Sequence, residues 1–241
     1  LLFTLGVFAI WLALDWPIHE LADNYLYSAH TVQHMLLTLV GPPLLLAGTP
    51  PWMLRMILGR GLLLNLARRL TRPVVALIIF NGVIAAIHWP VLVQAMVSSF
   101  FTHVSIHLVL IGAALLMWTP VLSPLLELPQ ISYPARMFYL FLQSLVPTVP
   151  ASFLTFAQHP LYAFYEAAPR LYSLSALDDL RISGLIMKIG GGFILWGFIL
   201  VLFFRWHAVE QTEGVDVLAW QDVDQELSRM RLDWEDGRAD A

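Results

Sequence analysis

The sequence predicts an all-α fold, a polytopic transmembrane helix bundle, on three observations. Of its 241 residues, 59% are hydrophobic and only 12% are charged, against about 45–50% apolar and about 25% charged in soluble domains. The apolar residues gather in runs close to the roughly 20 residues that cross about 30 Å of hydrocarbon. Five arginines crowd into a single connection between two of those runs, the sidedness signal of a membrane protein.

Six runs read as spans: 1–14, 26–48, 73–89, 101–119, 135–156 and 183–204. The first begins with Leu1 inside an apolar stretch, so it is expected to be cut short, with a segment preceding it. In the second, Gly41-Pro42-Pro43 predicts a kink, because proline has no backbone N–H to donate. The third ends at His88-Trp89-Pro90, since a proline disfavours helix in the residue before it. Residues 52–71, carrying Arg55, Arg60, Arg68 and Arg69, read as an amphipathic helix lying in the membrane interface.

The basic residues also orient the chain. Arg55, Arg60, Arg68, Arg69 and Arg72 all fall in the connection 49–72, which the positive-inside rule assigns to the cytoplasm. Connections 15–25, 90–100 and 157–182 then face the periplasmic side, and connection 120–134 returns to the cytoplasm with the tail. That tail, residues 206–241, holds ten acids against Arg229, Arg231 and Arg238. It therefore carries -7 of the overall -4, leaving about +3 on the bundle of residues 1–205. Val217, Trp220, Val223, Leu227 and Met230 recur in it at near-helical spacing, which predicts either an amphipathic helix docked on a membrane surface or partner or a partly disordered solubilising tail.

Composition excludes several classes of function. There is no cysteine, which removes disulfides, thiolate metal sites and thiol nucleophiles. No clustered basic face suggests nucleic acid. Any metal must be held by histidine, methionine or carboxylate.

The eight histidines supply the candidate chemistry. On the predicted topology seven of them lie at the periplasmic side: His19, His30, His34, His88, His103, His107 and His159. Only His207 follows the last span. His30/His34 and His103/His107 are two H-x-x-x-H pairs, and residues four apart share one helical face with Cβ atoms about 5–6 Å apart. Two such pairs supply up to four nitrogen ligands if their helices touch, with His88, Met35 and Met187 as auxiliary candidates. Imidazole and thioether without thiolate favour copper, with zinc still open. Asp178 and Asp179 are candidate acceptors behind the ligands, holding ring N–H groups. His19 and His159 read as ordinary hydrogen-bonded residues near the interface. A b-type haem is the alternative use of paired membrane histidines, although spacing of four suits one ion better than stacked porphyrins. Hydrolysis has little support, because H-T-V-Q-H and H-V-S-I-H lack the glutamate of H-E-x-x-H. The run Gly190-Gly191-Gly192 reads as a small-residue contact for close helix packing.

The stretch HTVQHMLLTLVGPPLLLAGTP, residues 30–50, resembles the H-x-x-Q-H…P-L-L-x-x-G-(A/T)-P signature of the multi-helix CtaG family. These are bacterial assembly proteins of caa(3)-type cytochrome c oxidases. HWP (88–90), HVSIHLVLIGAALLMWTPVL (103–122) and SALDDLRISGLIMKIGGG (175–192) resemble its later motifs in order. The chain departs from the pattern at Ile106, Leu180 and Lys188, near the ligands but not at the histidines. The resemblance implies seven helices in the inner membrane and a role in oxidase biogenesis, through copper supply or retention near the outer face. It also implies membrane lipid and haem–copper oxidase subunits as partners. The expected function is that of a respiratory-chain assembly chaperone without turnover. It would hold copper at His30, His34, His103 and His107 with His88 and Met187. The rivals are a haem b electron-transfer subunit and a structural subunit of a larger complex.

Overall fold

The apolar runs are helices in the computed structural model, which describes residues 1–171 and 173–239, with side chains outside 212–221 and 229–239. No strand occurs among the described residues. Helix α1 (Leu2–Leu14) is followed by α2 (Ile18–Asn24), and α3 (Tyr27–Met35) leads through a π turn at Leu36–Val40 into α4 (Gly41–Gly48). Two short helices, α5 (Pro51–Leu58) and α6 (Leu62–Leu70), precede α7 (Pro73–Ile87), α8 (Pro90–Ser98) and the long α9 (Phe100–Leu122). Then come α10 (Tyr133–Leu145), α11 (Thr148–Thr155), α12 (Ala163–Ala167) and α13 (Ala176–Leu185), a second π turn at Ile186–Gly190, and α14 (Gly191–Ala239). The chain makes two compact units, Leu1–Ile199 and Leu200–Ala241.

Among the described residues, five stretches are long and apolar enough to cross a membrane: Leu2–Asn24, Tyr27–Gly48, Phe100–Leu122, Tyr133–Thr155 and Ala176–Gln211. A sixth exists if α6 and α7, bent by 77°, count as one broken span. The chain is thus an all-α, multi-pass membrane bundle. Alone, α7 has only 15 residues, and His88 is its C-cap, where the His-Trp-Pro sequence ends it. The first span differs from expectation. Residues 18–24 are helical rather than a loop, because Pro17 precedes a helix whose Ala22 is fully buried and which packs along α3. The interfacial segment is two helices rather than one, broken at Gly59 and Gly61, both with positive φ. Neither helix has a buried residue. Arg55 Nε donates to Glu127 Oε1 at 2.7 Å and Arg68 Nε to the Glu127 carbonyl at 3.0 Å. The hydrogen bond from Arg55 holds the Glu127 carboxyl below its usual range and ties connections 49–72 and 120–134 to one end of the bundle. In the tail, Val223 and Leu227 are exposed. Val217, Trp220 and Met230 lie outside the residues whose side chains are described.

In hydrocarbon every backbone polar group must find a partner within the protein, and the prolines decide where side chains supply it. Pro42 and Pro43 have no N–H, so the Thr38 carbonyl lacks a donor at both the helical and the π-helical position. Trp118 Nε1, from α9, donates to it at 2.8 Å, and the indole is fully buried. At the site of the predicted kink stands a π turn immediately before Gly41, whose N–H reaches back to the Leu36 carbonyl. The Trp118 bond clamps the middle of the second span to α9.

Close approaches fall elsewhere than at Gly190-Gly191-Gly192. A Cβ on Gly192 would meet nothing within 4 Å, and one on Gly190 would chiefly meet the flexible end of Met35. Tight contacts lie at Gly6, Gly41 and Gly48, where α1 meets the second span, and at Gly184, where a Cβ would lie 2.6 Å from the Ala151 carbonyl and 2.7 Å from the Thr155 nitrogen. The Gly184 contact seats α13 on α11.

Two variants test this packing by unfolding in mild detergent. Trp118→Phe is expected to lower stability by between about 0.6 kcal/mol, typical of hydrogen bonds in membrane bundles, and about 3 kcal/mol, the cost of a buried orphan carbonyl. Gly184→Leu forces α13 away from α11 and is expected to cost about 1–3 kcal/mol. An unchanged midpoint in either variant contradicts the contact assigned to it.

Candidate metal centre

The site begins with how α3 starts. A helix leaves its first N–H groups without intrahelical acceptors, and Leu26, at the N-cap, has no side chain to supply one. Asp179, 1% exposed on α13, does so from across the bundle. It accepts from Tyr27 N–H at 2.7 Å and Ser28 N–H at 3.1 Å, and from the Ser28 hydroxyl as well. A carboxylate at a helix N-terminus is also favoured by the helix dipole, and Asp179 stands in the first turn of α13 too. Asp178 is spent locally: its N–H donates to Ser175 Oγ and its Oδ2 accepts from that hydroxyl at 2.6 Å, capping α13. The partners of both acids are thus helix ends rather than imidazoles, and the expected role of holding ring N–H groups falls to other residues.

One turn into α3, His30 and His34 turn the same way. Their rings are 4.1 Å apart, and His103 and His107 on α9 are 4.3 Å apart. The two pairs meet: His34 to His107 is 5.4 Å, and His30 lies 6.4 Å from both His103 and His107 between ring centroids. All four are buried. His30 Nδ1, His34 Nε2, His103 Nε2 and His107 Nε2 have no hydrogen-bond partner. Buried polar atoms are nearly always paired, so four orphaned ring nitrogens in one cluster call for a ligand. Alongside, α9 packs on α4 and on the Leu36–Val40 turn, which holds the two helices side by side.

His88 and Met187 line, together with His30, His34, Met35 and Lys188, a small cleft of about 60 Å³. His88 Nδ1 donates to the Ile84 carbonyl at 2.7 Å, which leaves its Nε2 with the free lone pair. His103 and His107 do not line this cleft. His159 is exposed in its loop, and His207 Nε2 lies 3.0 Å from Gln211 Nε2 on α14.

A tyrosine cap closes the histidine end. Tyr27 stacks on His30 with centroids 5.7 Å apart, its hydroxyl donates to Tyr162 at 3.2 Å, and Tyr162 donates to the His88 carbonyl at 2.9 Å. Tyr165 donates to the Ala22 carbonyl at 2.8 Å. Burial pushes both the Tyr162 and Tyr165 phenols above their ordinary range, with the Asp23 and Asp179 charges adding at Tyr165, so both stay neutral donors.

Two residues of the centre were not among those expected, His19 and Asp23. His19 is 5.6 Å from His103 between ring centroids, and the Asp23 carboxylate lies between the two rings. Their signal is the spacing of four in His19-Glu20-Leu21-Ala22-Asp23, which places both on one face once the segment is helical.

Chemically, the cluster offers neutral nitrogen donors with thioethers nearby, no thiolate, and a carboxylate at its edge. No curated protein and no solved structure matches the chain significantly. A family model described as the cytochrome c oxidase caa3 assembly factor, Caa3_CtaG, matches residues 1–208, and the chain belongs to that family.

Proposed function

We propose that this assembly factor holds a copper ion at the histidine cluster and makes it available for haem–copper oxidase biogenesis. The observation that supports this most directly is the set of four buried imidazole nitrogens without partners, drawn in pairs from α3 and α9. Leaving such groups unpaired in a low-dielectric interior is costly, and an ion bound among them removes that cost at each nitrogen it takes up. The donor set favours copper among biological metals, because imidazole and thioether are its preferred ligands once cysteine is absent. His30, His34, His103 and His107 are the principal ligands in this reading, with His88 and Met187 as auxiliaries from the cleft. The π turns at Leu36–Val40 and Ile186–Gly190 support a functional centre as well, since such turns recur at functional sites.

The ring contacts favour an ion over haem b. A porphyrin needs a slot between its axial imidazoles, whereas neighbouring rings here lie 4.1–6.4 Å from one another. The chain's role is binding and release rather than turnover, and its partners are oxidase subunits within the lipid bilayer. With the basic connection 49–72 in the cytoplasm, the cluster lies toward the periplasmic side of the bacterial inner membrane and the acidic tail is cytoplasmic.

Anaerobic loading of the purified full chain with Cu(I) is expected to give stoichiometric copper, and the double variant His34→Ala/His107→Ala to lose it. Equal loading of both proteins contradicts the site. The protein as isolated is expected to show no Soret band; a stoichiometric b-type spectrum that disappears in the same double variant would transfer the histidines to haem.

A further inference from the structure

The carboxylate that faces the cluster is Asp23, on α2. Its Oδ2 lies 3.5 Å from His19 Nε2 and 3.6 Å from His103 Nδ1. His19, Asp23 and His103 are close enough together to form a metal-ligand triad of their own, but the hydrogen bonding argues against it. Pro17 has no N–H, so the Ala13 carbonyl lacks its helical donor. Gln33 Nε2, fully buried on α3, donates to that carbonyl at 2.8 Å, which fixes the direction of the amide. The same amide nitrogen lies 3.0 Å from His19 Nδ1. That ring nitrogen therefore accepts, and the neutral His19 ring carries its proton on Nε2, toward Asp23. A nitrogen that carries the proton has no lone pair to give a metal.

His103 is arranged in the opposite sense. Its Nδ1 faces the Asp23 oxygen, while its Nε2 is buried without a partner and its ring lies against His107. We infer that Asp23 is the positioning residue of the cluster: its carboxylate, 3.6 Å from His103 Nδ1, draws the ring proton to that side electrostatically, so that Nε2 is presented as the lone pair to the ion, while Gln33 orients His19 and His19 faces the same carboxylate oxygen. The inference rests on the proposed role of His103 as a ligand, and it gives the glutamine of H-T-V-Q-H a task three residues removed from the metal, through His19, Asp23 and His103. A carboxylate behind a ligating histidine fixes the tautomer and raises the basicity of the ligand nitrogen, and its loss typically costs about 10–100-fold in metal affinity.

The test uses the full chain, labelled with 15N-histidine, in lipid nanodiscs. In the metal-free protein, two-bond 1H–15N correlations, with His103 assigned by difference from His103→Gln, are expected to place its proton on Nδ1. Asp23→Ala is expected to give a tautomer mixture, and Asp23→Glu to restore the single form. In Cu(I) competition titrations, Asp23→Ala is expected to bind about 10–100-fold more weakly, while His19→Ala keeps the stoichiometry. A His103 proton on Nε2 in the unaltered chain overturns the inference. So does an Asp23→Ala variant with unchanged tautomer and affinity. Loss of a whole metal equivalent in His19→Ala also overturns it, and would make the triad itself a metal site. If the unaltered chain binds no copper, the copper reading fails, and the tautomer measurement still decides the role of Asp23.

Discussion

A single buried carboxylate, Asp179, stands at the start of two helices, and the histidine cluster depends on it. It accepts from the first two N–H groups of α3 and lies in the first turn of α13. His30 and His34 follow Tyr27 on the same helix and inherit that anchorage, because their ring directions are set by where α3 begins. Gly184, further along α13, then lets that helix lie directly on α11. The acid expected to orient imidazoles orients the helix that carries them instead.

The same demand from backbone groups is met by a side chain at two places where proline interrupts the backbone ladder. Pro17 leaves the Ala13 carbonyl open, and Gln33 fills it; Pro42 and Pro43 leave the Thr38 carbonyl open, and Trp118 fills it. In water either carbonyl would simply be solvated. In hydrocarbon each requires one donor at one place, and both donors bind the second span to a neighbour, α1 in one case and α9 in the other. Each such carbonyl therefore brings a cross-link between helices with it. Near the cluster, the tyrosines follow the same logic, each phenol closing a backbone carbonyl or a neighbouring hydroxyl.

Much of this was legible in the chain. Apolar run length marked the spans, His88-Trp89-Pro90 marked the end of α7, and the two H-x-x-x-H pairs named the four rings that meet. What was not legible required three-dimensional partners. Residues 15–25 read as a polar loop because His19, Glu20 and Asp23 outweigh one buried alanine; only packing on α3 makes the segment helical, and with it His19 and Asp23 reach the cluster. Asp178 and Asp179 look alike in sequence, yet one caps its own helix and the other a helix 151 residues distant. Gly190-Gly191-Gly192 reads as a packing contact, but the close approaches belong to glycines elsewhere, among them Gly184, whose neighbours come from a different span.

Convergence of the four imidazoles on one copper ion is tested most directly by X-ray absorption at the copper edge of the Cu(I)-loaded protein. The expected spectrum has nearest neighbours that are mostly nitrogen, with the longer-range scattering of several imidazoles, much reduced in His34→Ala/His107→Ala. Light-atom neighbours without imidazole scattering, unchanged in that variant, would contradict it.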